Sequence, residues 1–390
     1  MSTATNGAAL TAVAMSGGLD SSVAAWMLAH RGAEHGVEGP VVGLSMLLWD
    51  AADDPPVEAT NGRCCGALDL GDARRVAEQA GIAHYTLRMD DDFRAKVVDP
   101  FVDDYLAGRT PSPCVSCNTW VKFDLLLDRA RSYGARRLAT GHYARLADGP
   151  AGRELHRAVD DGKDQSYFLF ELSQQQLAAS LFPLGELSKD AVRELAVEAG
   201  LVVAGKGESM EICFVADGIR PFVEREAAKR ELLPVVAARL EEPAKIVDRQ
   251  GRELGRGEPY YRYTVGQRRG LGVSSSGLPG GGGRLYVLEI DAERNRVVVG
   301  DGEELECRAM HGERLHWINP EMDLADGTEV EATVKIRSRH PGVEGRVRVL
   351  DGGRCEVEFA EPQRGVAPGQ AAVFYRGSRV MGGCWIERGF

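Results

Sequence analysis

The chain has 390 residues, 44% of them hydrophobic and 27% charged, with a formal net charge of −11. That length accommodates two or three domains with ample core, since single domains usually run to about 100–200 residues. No apolar run reaches the roughly 18 residues that span a bilayer, and the N-terminal MSTATNGAALTAVAM lacks a charged leader with a long apolar stretch, so a cytoplasmic, membrane-free protein is expected. The charge is uneven: residues 1–220 sum to −10 and residues 221–390 to −1, the latter with the basic runs YRYTVGQRRG and VKIRSRHPG. An acidic total therefore neither demands nor excludes RNA, because a basic strip on an acidic protein suffices for phosphate contacts.

In chain order, β-rich runs at 11–15 (TAVAM), 41–49 (VVGLSMLLW), 83–89 (AHYTLRM) and 136–140 (RRLAT) alternate with amphipathic stretches at 20–32, 70–81 and 123–134. Each amphipathic stretch stops at a glycine, a common helix end. Alternation of this kind predicts βα units around an open parallel sheet. Helical segments continue at 173–180, 188–200 and 221–233, interrupted by the polar or sulfur-bearing stretches KDQSYF and ESMEICF. GVSSSGLPGGGGR (272–284) reads as a low-complexity loop. Beyond residue 301, alternating segments such as EVEATVKIRSR, GRVRVL, CEVEFA and QAAVFY predict a small β-barrel or sandwich.

The stretch AMSGGLDSS follows the first strand and opens the first helix. Gly17 and Gly18 let backbone N–H groups approach an anion, Ser16, Ser21 and Ser22 add hydroxyls, and the helix N-terminus supplies a favourable dipole. Asp20 would repel phosphate unless it holds Mg²⁺ or orders the loop. No lysine follows, so this is not a Walker A motif. SGGLDSS resembles the pyrophosphate loop of the ATP pyrophosphatases, which attach AMP to a carbonyl or carboxyl oxygen.

Eight cysteines fall as the pair Cys64 and Cys65, a C-x-x-C at Cys114 and Cys117, and the singles Cys213, Cys307, Cys355 and Cys384. In a long intracellular chain such spacing favours reactive or ligating thiols over a disulfide framework. Zinc normally takes four ligands, and neither a second C-x-x-C nor paired histidines accompany the first, so no metal site is assigned. Cys114, Cys117 and Cys213 could alternatively hold three corners of a [4Fe–4S] cluster. Cys64, Cys65, Cys307, Cys355 and Cys384 read as structural.

GRTPSPCVSCNTWVKF (108–123), ATGHYARL (139–146), KDQSYFLF (163–170) and ESMEICFV (208–215), in that order, resemble the tRNA 2-thiouridylases. The later YTVGQRRGLGV, VKIRSRHPG and PGQAAVFY extend the resemblance over nearly the whole chain. It implies an α/β fold: a nucleotide domain of the adenine-nucleotide α-hydrolase type at 1–220, a central mixed α/β tRNA-binding domain at 221–300 and a C-terminal β-barrel at 301–390. ATP is expected to touch Ala14, Met15, Ser16, Gly17, Gly18, Leu19, Asp20, Ser21, Met46 and Gly141, with Mg²⁺. Cys213 would carry a persulfide and Cys117 would act as partner nucleophile. Each must ionise to react, and Lys122 or Lys206 could favour the thiolates. Ser112, Pro113 and Cys114 would border the target base, and Cys114 stands where some relatives have an acid. His142, Lys163, Asp164, Gln165, Arg337, Ser338 and Gln370 would meet tRNA. The implied partners are tRNAs of the Lys, Glu and Gln types, with a wobble uridine at position 34, and a sulfur-donor protein such as a cysteine desulfurase or a sulfur relay protein.

Two other classes fit parts of the pattern. A synthetase joining an amine to an AMP-activated acid would need the loop but no paired cysteines, and a non-catalytic RNA-binding protein would need neither.

Overall fold

The computed structural model describes residues 9–49, 67–207, 212–215, 217–230, 240–273, 284–319 and 324–390. Cys64 and Cys65, the first part of ESMEICF, the end of the segment read as a helix to 233, and most of the low-complexity loop lie outside the described residues.

Five parallel strands form the first sheet: β1 (Leu10–Ala14), β2 (Val41–Leu47), β3 (Ala83–Arg88), β4 (Ala135–Ala139) and, after an intervening hairpin, β7 (Ser180–Leu181), in the order β3-β2-β1-β4-β7. The four expected strands stand where the β-rich runs placed them. β7, two residues long, has no periodicity to betray it. The helices α1 (Leu19–Arg31) and α2 (Ala67–Ala80) pack on the sheet. Gly81 closes α2 with φ +70, as a left-handed cap requires, but Gly32 has φ −55 and the chain runs on in a 3₁₀ turn to Gly36 at φ +66. α1 thus ends at Gly32 as its glycine signals, and the left-handed turn follows four residues later.

The chain then enters two helical runs interrupted by π-helix. The short α3 (Asp90–Phe93) passes through π-helical Arg94–Val98 into α4 (Asp99–Leu106). The other run starts with α5 (Pro113–Ser116), passes through π-helical Cys117–Leu126 and ends in α6 (Leu127–Ser132). π-Helix is rare and concentrates at functional sites. Farther along come α7 (Gln174–Ala178), α8 (Lys189–Glu198) and α9 (Ile219–Ala228).

The segment 144–157, not expected to be extended, is a hairpin of β5 (Ala144–Gly149) and β6 (Gly152–Arg157), turning on the Gly-Pro-Ala-Gly of 149–152. Its alternation is masked because only Ala144 and Leu155 are buried among mainly polar neighbours. A small sheet follows, ordered β10-β11-β8-β9, from β8 (Lys245–Val247), β9 (Glu253–Arg256), β10 (Tyr286–Asp291) and β11 (Arg296–Gly300).

The remaining strands are β12 (Glu306–Trp317), β13 (Glu329–Lys335), β14 (Val343–Leu350), β15 (Arg354–Arg364), β16 (Ala371–Arg376) and β17 (Arg379–Gly389). They pair in the order β12-β15-β14-β13-β16-β17, and β17 returns to β12, which decides for a closed barrel over a sandwich. Register shifts along β12, which pairs with β15 on one edge and β17 on the other, give the bends that closure needs. Cys355 and Cys384 are fully buried in the barrel core beside Gly312, whose missing Cβ would lie 2.4 Å from one sulfur and 2.9 Å from the other. A hydrogen bond with Cys355, together with burial, pushes the Cys384 thiol well above its ordinary pKa, so it packs as an inert small group.

Candidate active site

The pyrophosphate-type loop is built by the turn from β1 into α1. Ser21 Oγ lies 3.1 Å from Ser16 Oγ, accepts from the Ser16 N–H at 3.1 Å, and donates to the Gly18 carbonyl at 3.2 Å. Gly17 sits at φ +74, and a Cβ there would fall 2.0 Å from the Asp69 carbonyl oxygen at the head of α2. Gly141, just past β4, packs as closely: a Cβ would fall 2.6 Å from the Ser21 nitrogen. Two of the expected nucleotide-contact glycines therefore stand where a side chain cannot.

A lysine that no sequence signal marked answers the puzzle of Asp20, and a second takes up the carboxylates beside the loop. Lys189, only 5% exposed at the start of α8, donates to both Asp20 carboxylate oxygens at 2.7 and 2.9 Å, and the Tyr143 hydroxyl donates to Oδ1 at 2.8 Å. Asp20 is thus neutralised and orders the loop. Lys206, considered at first for the thiols, donates to the Gly17 carbonyl at 2.9 Å, to Asp69 at 2.5 Å and to Asp72 at 2.6 Å. Burial opposes its charge, but hydrogen bonds and attraction from these two aspartates prevail and hold its pKa above the ordinary lysine value. The lysines arrive from 169 and 189 residues downstream, which is why a local motif could not contain them.

Lys206→Ala should leave Asp69 and Asp72 facing each other without their shared cation. We expect a loss of about 1–3 kcal/mol in unfolding free energy, read by urea denaturation, with weaker adenine-nucleotide binding by calorimetry.

Met15 and Met46 are both buried, Met46 at the C-terminal end of β2, where open parallel sheets bind ligands. Ala14, Ser16, Gly18 and Asp20 are half-buried and Leu19 is buried. His142 lies in the wall below, 8% exposed, with Nδ1 2.7 Å from Thr140 Oγ1 and its ring between Phe123 and Phe182. Burial, helped by the positive charge of Lys122, pulls its pKa well below the ordinary value, so it is a neutral group at physiological pH.

Cys117 is buried as the first residue of the longer π-helical run, and Cys114, three residues earlier, is exposed. Cys213 is half-buried and packs on the same apolar cluster that contains Cys117. Its neighbour Phe214 anchors it there, with ring centroids 5.5 Å from Phe93, 5.2 Å from Phe101 and 5.2 Å from Phe222. Cys117 and Cys213, 96 positions apart in sequence, thus border one extensive apolar cluster, the thiol wall. The π-run is pinned by Asn118, which donates to the Phe168 carbonyl at 3.1 Å and accepts from Lys122 at 2.9 Å. Among the described residues, no group of three or more His, Cys, Asp or Glu side chains is placed to hold a metal, so the three thiols are not gathered as cluster ligands.

Ser112 at the turn into α5 and Pro113, its first residue, are buried, and the barrel buttresses that turn. Gln370 Nε2 donates to the carbonyls of Thr110 (2.9 Å) and Pro111 (3.2 Å), while the Thr110 N–H donates to Pro368. Arg337 is exposed, reaching the Arg364 carbonyl at 3.4 Å, and Ser338 beside it is half-buried. Lys163, Asp164 and Gln165 are half-buried in a loop between the two halves. Asp164 accepts from the N–H groups of Ala158 and Ser166 and from the Ser166 hydroxyl, and Gln165 accepts from the Tyr143 N–H at 2.9 Å. Sequence reasoning missed Glu171, which accepts from Thr119 of the π-run at 3.3 Å and from Trp385 of the barrel at 2.7 Å.

The parallel sheet with its loop at the strand ends places this half among the HUP-domain folds. The family model described as tRNA methyl transferase HUP domain matches residues 10–217, that of the tRNA methyl transferase PRC-barrel domain 236–301, and that of the aminomethyltransferase beta-barrel domain 307–386. Proteins named tRNA-specific 2-thiouridylase MnmA are 48% identical to this chain in Geobacter metallireducens, over 96% of each chain, and 48% identical in Solibacter usitatus, over 96% of this chain and 98% of the relative. The chain belongs to the tRNA-specific 2-thiouridylase family, enzymes that are tRNA-uridine 2-sulfurtransferases. Of solved structures, the U34-tRNA thiolase NcsA from Methanococcus maripaludis with its [4Fe–4S] cluster overlaps with a TM-score of 0.34 at 16% identity, over 57% of this chain and 64% of that one, too slight a likeness to bear on chemistry.

Proposed function

We propose that this protein makes 2-thiouridine at the wobble position, 34, of tRNA, using ATP to activate the C2 carbonyl and a cysteine persulfide to deliver sulfur. Near-full-length identity to tRNA-specific 2-thiouridylases is the observation that carries the reading. The loop and the thiol wall support its two halves.

In the first half, the uracil O2 attacks the α-phosphorus of ATP, forming an O2–P bond and expelling pyrophosphate. Backbone N–H groups around Gly17 and Gly18 and the N-terminus of α1 receive the phosphates. Ala14 to Ser21, Met46 and Gly141 frame the nucleotide. Mg²⁺ would screen the phosphate charge. The carboxylates at the loop, Asp20, Asp69 and Asp72, each face a lysine, so the ion would take its oxygens mainly from the nucleotide and water.

In the second half, the terminal sulfur of a Cys213 persulfide attacks C2 and AMP leaves with the oxygen. The Cys117 thiolate then attacks the Cys213 sulfur, forms a Cys117–Cys213 disulfide and leaves the outer sulfur on C2 as the thiocarbonyl. A thiol reductant reopens the disulfide, and a sulfur-donor protein recharges Cys213. Ser112, Pro113 and Cys114 border the extruded base, while His142, Lys163, Asp164, Gln165, Arg337, Ser338 and Gln370 meet the RNA. tRNAs of the Lys, Glu and Gln types are the expected substrates in the cytoplasm, with residues 1–220, 221–300 and 301–390 as the working domains. Among the described residues no helix is long and apolar enough to cross a membrane.

The test is mass spectrometry of tRNA nucleosides after incubation with ATP, Mg²⁺ and a persulfide donor. Mass gain at the wobble uridine, with one pyrophosphate released per thiolation, is the expected result. Pyrophosphate release in the absence of any tRNA, with no thiolated nucleoside, would favour an amide-forming synthetase instead.

A further inference from the structure

On the side of the barrel turned to α5, β12 breaks its register with β17 between Glu313 and His316, and Arg314 in that break has φ +54. A non-glycine residue in the left-handed region is uncommon, and such outliers cluster at ligand sites. Bulges at barrel rims also re-aim side chains. Here the Arg314 guanidinium lies over the Trp385 indole, 5.1 Å from its centroid. Glu171 fixes both members, accepting from Arg314 at 3.1 Å and from Trp385 Nε1 at 2.7 Å. The indole is 7% exposed, whereas the Arg314 side chain is 53% exposed. One face of the guanidinium is backed by a ring while the group as a whole still reaches solvent.

This pair edges a cavity of about 110 Å³ whose opposite wall is Ser112, Pro113 and Ser116. Cys117 stands four residues on from Pro113, so the two share a face of the helical run, with Ser116 and Cys114 to either side of it. Neither Cys114 nor Cys117 lines the cavity, which therefore adjoins the thiols without containing them. Asp104, paired with Arg109 at 2.8 Å, and Glu313 also line it, so the two arginines and two acids balance and Glu313 offers an acceptor to the N–H groups of a base.

We infer that this cavity takes the base of a nucleotide next to the target uridine, stacked on the outer face of Arg314. The inference rests on the RNA reading proposed above and adds a subsite to it. Unpaired RNA bases stack on aromatic rings and on guanidinium planes. A guanidinium braced by an indole and a carboxylate is already ordered before the RNA arrives, and a lysine could not supply the plane.

The experiment compares the wild type with Arg314→Ala and Arg314→Lys, by filter binding of transcribed tRNA and by steady-state thiolation. Arg314→Ala should weaken tRNA binding and raise the tRNA KM roughly tenfold or more, leaving the ATP KM and kcat within about twofold. Arg314→Lys should not rescue it. Removing the base on one side of the target uridine should cause the same loss, and combining that abasic tRNA with Arg314→Ala should add little. Rescue by lysine would reveal a simple phosphate contact and overturn the inference, as would fully additive losses or unchanged tRNA binding in Arg314→Ala. The binding assay reads this contact whether or not thiolation occurs, so its failure is separate from failure of the proposed reaction.

Discussion

Cys117→Ser and Cys213→Ser should each lower 2-thiouridine formation by at least roughly a thousandfold, because a hydroxyl can neither carry a persulfide nor attack one. Pyrophosphate release driven by tRNA should survive in both, since activation of the carbonyl uses the loop at Gly17 and not the thiol wall. The variants should still differ. Cys117→Ser should accept sulfur from a persulfide donor at Cys213, detectable as a mass increase of the intact protein, and Cys213→Ser should not. Both serines keep the volume but place a hydroxyl against an apolar cluster, so buried Cys117→Ser should lose about 1–3 kcal/mol of unfolding free energy and half-buried Cys213→Ser less, both still folded. Sulfur transfer persisting in both variants would sink the persulfide route.

Gly17→Ala is expected to have the second large effect. The position combines φ +74 with a Cβ only 2.0 Å from the Asp69 carbonyl oxygen and 2.6 Å from its carbon, both backbone atoms that cannot swing aside. The left-handed conformation alone costs a non-glycine residue on the order of 1–3 kcal/mol, and the overlap must in addition drive α2 from the loop. Adenine-nucleotide binding should fall below detection by calorimetry, and the melting midpoint should drop. Gly18→Ala is the contrast: φ is −85 and its Cβ would come no closer than 3.5 Å to Ser16 Oγ. Its melting midpoint should barely move. Equal damage from the two substitutions would contradict the account of the loop.

What the residues revealed by themselves follows from how local each signal is. β1 and β2 were legible because buried parallel strands are written as continuous apolar runs. β3 at the exposed edge and β4 with its two arginines were legible as short β-rich runs between helical stretches, and the Ser-Gly-Gly turn because its chemistry is contained in a few adjacent residues. β7 was too short to show a period, and the hairpin at 144–157 was hidden by its polar faces. The barrel's β12 escaped notice because its register breaks disrupt any alternation. Lys189, Lys206 and Glu171 were illegible for another reason. Each is an ordinary charged residue whose role exists only after distant segments meet. Lys206 also shows the hazard of reasoning from proximity in sequence: seven residues from Cys213, it spends all three ammonium hydrogens at the nucleotide loop.

The short ladder between β6 and β17, which pairs Arg379 with His156 and Val380 with Leu155, joins the closing strand of the barrel to a hairpin of the nucleotide half. Backbone hydrogen bonds of this kind do not slide. Together with the Gln370 clasp on residues 110 and 111, they make the barrel part of the same cooperative unit as the loop and the thiol wall. Under the RNA reading proposed above, a mouth braced in this way resists opening like a jaw, and it is the RNA loop presenting its base that would deform to fit.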